Sequence, residues 1–221
     1  MAHLRKPLAI ALAANTCVLA VEMIGGVESN SLSLITDGVH NLSDETALGF
    51  LLLAYTLRKG LSSHFLRSAN LFNSVGLFLI SGLLVWQAIE RLSHPQEVLG
   101  IVPIIAGLLA AVGNWGVALA LREPSKQDVA IRLAYVHNLG DVLVSLAPVV
   151  AGIAILVSGS VLFDPIIAII IAAVILWTTF RAVVGSEEEL LWPENVVCAH
   201  VDDVESKSSQ RVSFGDSPTH R

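Results

Sequence analysis

The run Asp164-Pro165-Ile166-Ile167-Ala168-Ile169-Ile170-Ile171-Ala172-Ala173-Val174-Ile175-Leu176-Trp177-Thr178-Thr179-Phe180-Arg181 decides the architecture of this chain. No charge lies between its two ends. With its flanks, about 162–184, it has the ~20 apolar residues an α-helix needs to cross the ~30 Å hydrocarbon core of a bilayer. A helix satisfies its own backbone N–H and C=O groups, which lipid cannot do. Asp164 before Pro165 reads as the start of that helix, with Asp as cap and Pro in the first turn.

Working back toward the N-terminus, the length rule finds five more segments, at about 7–27, 32–57, 68–90, 99–121 and 128–157. Polar punctuation separates them: Glu28-Ser29-Asn30, then Arg58-Lys59-Gly60 through Arg67, Arg91 through Gln96, Arg122-Glu123-Pro124 and Gly159-Ser160. The composition agrees, since 54% of the 221 residues are hydrophobic and only 14% charged, too little charge for a soluble domain. The expected fold is therefore all-α, a polytopic membrane protein of six transmembrane helices. Arg5-Lys6 before an apolar run resembles a secretory signal, but that run continues to Val27, too long for a signal core.

Charge sets the orientation. With a cytoplasmic N-terminus, Arg5, Lys6, Arg58, Lys59, Arg67, Arg122, Lys126, Arg132 and Arg181 all face the cytoplasm, and only Arg91 lies opposite. Both termini are then cytoplasmic, and in a bacterium the membrane is the plasma (inner) membrane. The formal net charge of -6 owes much to the stretch after residue 185, which holds Glu187, Glu188, Glu189, Glu194, Asp202, Asp203, Glu205 and Asp216. Residues 1–185 form the membrane domain. Residues 186–221 read as a short, acidic, disordered cytoplasmic tail, too polar to bury a core. Nothing in the charge pattern suggests nucleic acid, and Cys17 and Cys198 make no disulfide framework.

Ionisable side chains inside a bilayer cost at least ~2.5 kcal/mol each, so they mark function. The second segment carries Asp37, His40, Asp44 and Glu45, the fifth His137 and Asp141, and the first Glu22. His40 and Asp44 stand one turn apart on one helix face, and His137 and Asp141 repeat the spacing. The sequence around them repeats too, His40-Asn41-Leu42-Ser43-Asp44 against His137-Asn138-Leu139-Gly140-Asp141. By the order of the segments the two copies cross the membrane in opposite directions, as in an inverted 3+3 repeat whose shared site lies near the midplane. Antiparallel packing sets His40 level with Asp141 and Asp44 level with His137. Two imidazoles and two carboxylates suit a tetrahedral zinc ion, and the carboxylates cancel its charge. Metal binding to such a set releases protons. A single His–Asp pair is as well explained by an interhelical hydrogen bond, but two at matched depth favour metal.

The other polar residues read less sharply. Asp37 either draws cations toward the site or sits at the interface. Glu22, Asn15, Asn73 and Asn114 tie helices together or line the pathway. Glu45 points about 100° away from Asp44 and stays outside the site.

These residues resemble a known family. The run Glu22-Met23-Ile24-Gly25-Gly26, then Ser31-Leu32-Ser33-Leu34-Ile35-Thr36-Asp37-Gly38-Val39-His40 and Asp44, is similar to the signature of the cation diffusion facilitators. Asn73, Glu90-Arg91-Leu92, Asn114, His137 to Asp141 and Asp164-Pro165 continue the match over about residues 7–184. The resemblance implies a homodimer in the lipid bilayer that exports Zn2+ from the cytoplasm by proton antiport, with protons as counter-ion. It implies His40, Asp44, His137 and Asp141 as the transport site. Histidine in both helices resembles the zinc-carrying members, with cadmium or cobalt as further substrates. Members usually carry a ferredoxin-like cytoplasmic domain after the sixth helix, where this chain has only its short tail. Two other readings use the same metal site: a membrane-embedded metal-dependent enzyme, which lacks a His-Glu-x-x-His pattern here, and a non-transporting regulatory subunit. The expectation is a transporter rather than an enzyme.

Overall fold

A computed structural model describes residues 2–57 and 63–184. The Arg58-Lys59-Gly60 connection and the expected tail at 186–221 lie outside the described residues. Every described element is a helix: α1 (Ala2–Ser29), α2 (Leu32–Thr56), α3 (Ser63–Ser93), α4 (Ile101–Arg122), α5 (Val129–Val144), α6 (Leu146–Ser158) and α7 (Phe163–Val184), with a 3-10 turn at Pro124–Lys126. Leu4–Ser29, Leu71–Ser93, Ile101–Arg122, Ala130–Ser158 and Phe163–Arg181 are each long and apolar enough to cross a membrane. The chain is a polytopic membrane protein. α2 is as long as these, but Asp37, His40, Asn41, Asp44 and Glu45 dilute its apolar character. It is shielded by α1, α3 and α7.

The apolar residues follow from that setting. Large side chains such as Ile24, Val27, Leu83, Val112, Leu143 and Trp177 are exposed on the outside of the bundle, where lipid is their solvent. Lipid tails are as apolar as leucine, so helices pack through close fit rather than expulsion of water. Glycine permits that fit between α4 and α6. A Cβ on Gly152 would lie 2.4 Å from the Gly100 carbonyl oxygen, and one on Gly107 would lie 2.8 Å from the Ser145 carbonyl oxygen.

Two features depart from the sequence reading. The fifth span, expected as one helix over 128–157, is divided into α5 and α6 at Ser145. Pro148 explains the break: it has no N–H for the Val144 carbonyl four residues back, and its ring crowds that carbonyl. Asp164 lies inside α7 rather than before it, and it caps a different helix. Its carboxylate accepts from the Ser31 hydroxyl (2.6 Å), the Leu32 N–H (2.6 Å), the Ser33 N–H (3.2 Å) and the Ser33 hydroxyl (2.6 Å). These groups belong to the N-terminus of α2, where free N–H groups and the helix dipole favour a negative charge. Asp164 thus pins α2 to α7 with its side chain wholly buried.

The turn between α1 and α2 is held in the same way. Asn30 takes a left-handed conformation, φ 55°, which asparagine tolerates better than most residues. Arg91 donates to its carbonyl at 2.6 Å and to its side-chain oxygen at 2.8 Å. The one basic residue set against the charge bias therefore has a structural task. At the opposite end of α2, Arg5 donates to the Tyr55 carbonyl at 2.9 Å, and the Tyr55 hydroxyl donates to Asp128, the N-cap of α5.

Candidate metal centre

α2 and α5 meet at their repeated motifs in antiparallel register. His40 Nε2 lies 3.2 Å from Asp141 Oδ1, and His137 Nε2 lies 2.8 Å from Asp44 Oδ1. The within-helix pairs are longer, 3.8 Å from His40 to Asp44 and 3.9 Å from His137 to Asp141. The two imidazoles stand edge to face with centroids 5.5 Å apart. One ligand atom from each of the four residues falls within 4.8 Å of all the others.

These distances can be tested against a metal. Bonds of ~2.0–2.2 Å at tetrahedral angles set donor atoms about 3.3–3.6 Å apart. The present separations bracket that range, so shifts of a few tenths of an ångström to about an ångström at rotatable side chains would close four donors on one ion. The donor set, two nitrogens and two carboxylate oxygens, is neutral with a dication in it. Three corners are enclosed, with side-chain exposures of 11% for His40, 8% for Asp44 and 5% for Asp141, whereas His137 is 51% exposed. His137 is thus the least enclosed of the four.

The polar residues around it divide by partner. Asn15 donates to the Asn41 carbonyl at 3.1 Å and to Glu45 Oε2 at 3.0 Å, and the Thr16 hydroxyl donates to Glu45 Oε1 at 2.6 Å. Glu45 is therefore turned to α1, away from the four-residue cluster. Asn73 ties α3 to Ser43, and Asn114 ties α4 to Ser145 at 3.0 Å. Asp37 is 1% exposed, enclosed by the neighbouring helices. Glu22 reaches it from α1, with its carboxyl within hydrogen-bond reach of Asp37 and its Oε2 accepting from Asn41 Nδ2 at 2.6 Å. In the sequence the two residues stand fifteen positions apart with nothing to pair them. Their common signal was only that each is an acid inside an apolar span, and no spacing rule joins two helices.

Comparison with known proteins agrees with this architecture. The family described as the cation efflux transmembrane domain matches residues 8–191. A zinc transporter ZitB of Yersinia pestis is 36% identical over 197 residues, covering 84% of this chain and 62% of that protein. A cadmium, cobalt and zinc/H(+)-K(+) antiporter of Bacillus subtilis is 32% identical over 204 residues, covering 87% of this chain and 66% of that protein. The metal cation efflux system protein CzcD of Cupriavidus metallidurans is 28% identical over 207 residues, covering 89% of this chain and 66% of that protein. The chain thus spans about two thirds of the length of these relatives. With the family's transmembrane domain matched over residues 8–191, the chain belongs to the cation efflux family, the cation diffusion facilitators.

Proposed function

We propose that this protein carries a divalent metal cation, zinc before cadmium or cobalt, out of the cytoplasm in exchange for protons. The observation that carries the proposal is the cluster His40, Asp44, His137 and Asp141, four donor atoms within 4.8 Å at the crossing of two membrane helices. The relatives named as zinc transporters and as a cadmium, cobalt and zinc antiporter support the same substrate class.

The geometry suggests why protons and metal would alternate. Without metal, each carboxylate faces an imidazole nitrogen on the opposite helix, and a proton between them satisfies both. With metal, the same four atoms turn to the ion. Either form compensates the two buried carboxylates, whereas a site with neither would leave charge unpaired inside the membrane, at a cost of several kcal/mol. Exchange between two satisfied forms is the chemical basis of antiport. Alternating access would follow from rocking of two inverted three-helix halves around the site. In this reading the protein works as a homodimer with both termini cytoplasmic, and residues 186–221 are a cytoplasmic tail.

Zinc uptake into proteoliposomes with an imposed pH gradient tests the proposal. Uptake should follow the gradient and vanish in Asp44→Ala. Tight zinc binding without movement in the wild type would reject transport and favour a metal-dependent enzyme or a regulatory subunit.

A further inference from the structure

The four-residue cluster does not account for all the buried charge. Glu22 and Asp37 lie beside it, 0% and 1% exposed, on α1 and α2. Glu22 Oε1 and both Asp37 oxygens accept no well-formed hydrogen bond from the described residues, and neither does Asn41 Oδ1, whose amide nitrogen holds the other Glu22 oxygen. Each carboxyl lies within hydrogen-bond reach of the other. Two carboxyl groups make a hydrogen bond only when one of them holds a proton. The orphaned oxygens and the close approach of the pair therefore have one common explanation.

The surroundings offer Asp37 only His40, one turn along α2, and the Ser145 hydroxyl. On α2, Asp37 stands one turn before His40, and Asp44 lies further along. α5 brings Asp141 and His137, and the Ser145 hydroxyl at the α5–α6 break lies close to Asp37 while holding Asn114 of α4. α3 has no ionisable residue between Asn73 and Glu90, α4 none before Arg122, α6 none at all, and α7 none between Asp164 and Arg181. No Lys or Arg comes from any of these helices to the pair. Two adjacent buried carboxylates, with no Lys or Arg beside them and the nearest imidazole engaged by Asp141, favour sharing one proton over both staying ionised.

We propose that Glu22 and Asp37 form a second proton-binding site, a carboxylic acid–carboxylate pair sharing one proton, which is released when a divalent metal occupies the neighbouring four-residue centre. The inference rests on the metal–proton exchange proposed above. One carboxyl O–H donates to an oxygen of the other carboxylate, and the pair carries one negative charge. A dication arriving one helical turn away favours the doubly ionised form, so the proton leaves. The proton counted here is additional to any displaced from the histidines. The site also lies against the break in the fifth span, so its charge state bears on the segment where α5 and α6 join.

The test is the number of protons released per zinc bound by the purified full chain in weakly buffered detergent, together with the pH dependence of zinc affinity. Glu22→Gln and Asp37→Asn keep the shape and remove the shared proton. Each should lower proton release by about one per zinc, and should flatten the pH dependence of affinity by about tenfold per pH unit. A merely structural role would change affinity without changing the proton count. Infrared spectra of the wild type should show the carbonyl band of a protonated carboxyl at neutral pH without zinc, lost on adding zinc and absent in Glu22→Gln. Proton release equal to wild type in variants that still bind zinc would overturn the proposal, and so would a wild type without the protonated-carboxyl band, whether or not the variants fold. Proton release as predicted, without zinc movement in liposomes, would reject the transport reading and leave the carboxyl pair standing.

Discussion

Replacing Asp164 with alanine should loosen the helix that carries half of the metal centre. The carboxylate accepts hydrogen bonds from two backbone N–H groups and two hydroxyls at the start of α2, and its side chain is wholly buried. The hydroxyls can turn elsewhere, since Ser31 and Ser33 already lie 3.2 Å apart. The Leu32 and Ser33 N–H groups cannot turn. A buried donor left without a partner costs about 1–3 kcal/mol, so the pair gives roughly 3 kcal/mol after local relaxation. For a domain of this size that corresponds to a fall of about 6–12 °C in melting temperature. Asp164→Asn keeps one acceptor oxygen but sets an amide N–H2 against the Leu32 N–H, so it should lose about half as much. The assay is thermal unfolding in detergent, followed by the monodisperse fraction on size exclusion. Asp164→Ala melting within about a degree of wild type would refute the reasoning, because it would mean that the α2 terminus finds other acceptors at no cost.

His137→Ala should abolish zinc transport while the protein still folds and inserts, since that side chain is half exposed and supports little packing. Wild-type uptake by that variant would remove the metal centre from the mechanism. Zinc affinity should fall as pH falls, because protons compete with the metal for the imidazoles and carboxylates of the site. The sign follows from competition, with protons gaining the ligands as pH falls, and a titration of affinity from pH 8 to about 5.5 that stayed flat would contradict it. Gly152→Ala should cost about 1–3 kcal/mol in thermal stability, because the new methyl meets the Gly100 carbonyl oxygen at 2.4 Å. Gly116→Ala, which meets nothing within 4 Å, should be neutral or slightly stabilising and serves as the control.

The polytopic membrane fold and the level of the His–Asp pairs were legible because both depend on local properties. Apolar length is a sum over consecutive residues, and a spacing of four puts His40 with Asp44, and His137 with Asp141, on single faces of single helices. Pairing His40 with Asp141 then needed only the parity of the crossings, and the structure has that pairing at 3.2 Å. The break at Ser145 was partly legible in Pro148, yet many membrane helices carry proline without dividing, and neighbouring helices settle which outcome holds. Asp164 shows the limit most clearly. Its local sequence looks like a cap for its own helix, but its carboxylate serves Ser31, Leu32 and Ser33, more than a hundred residues away along the chain. Glu22 and Asp37 were visible singly as buried acids, and only the packing of α1 on α2 made them a pair. The sequence by itself determined that the chain is a membrane protein of several apolar helices and which helix turns pair a His with an Asp, because apolar length and a spacing of four are properties of single helices. Which buried charges meet was decided by tertiary structure alone, because it depends on how each helix is rotated against its neighbours, and that rotation is a property of the whole bundle.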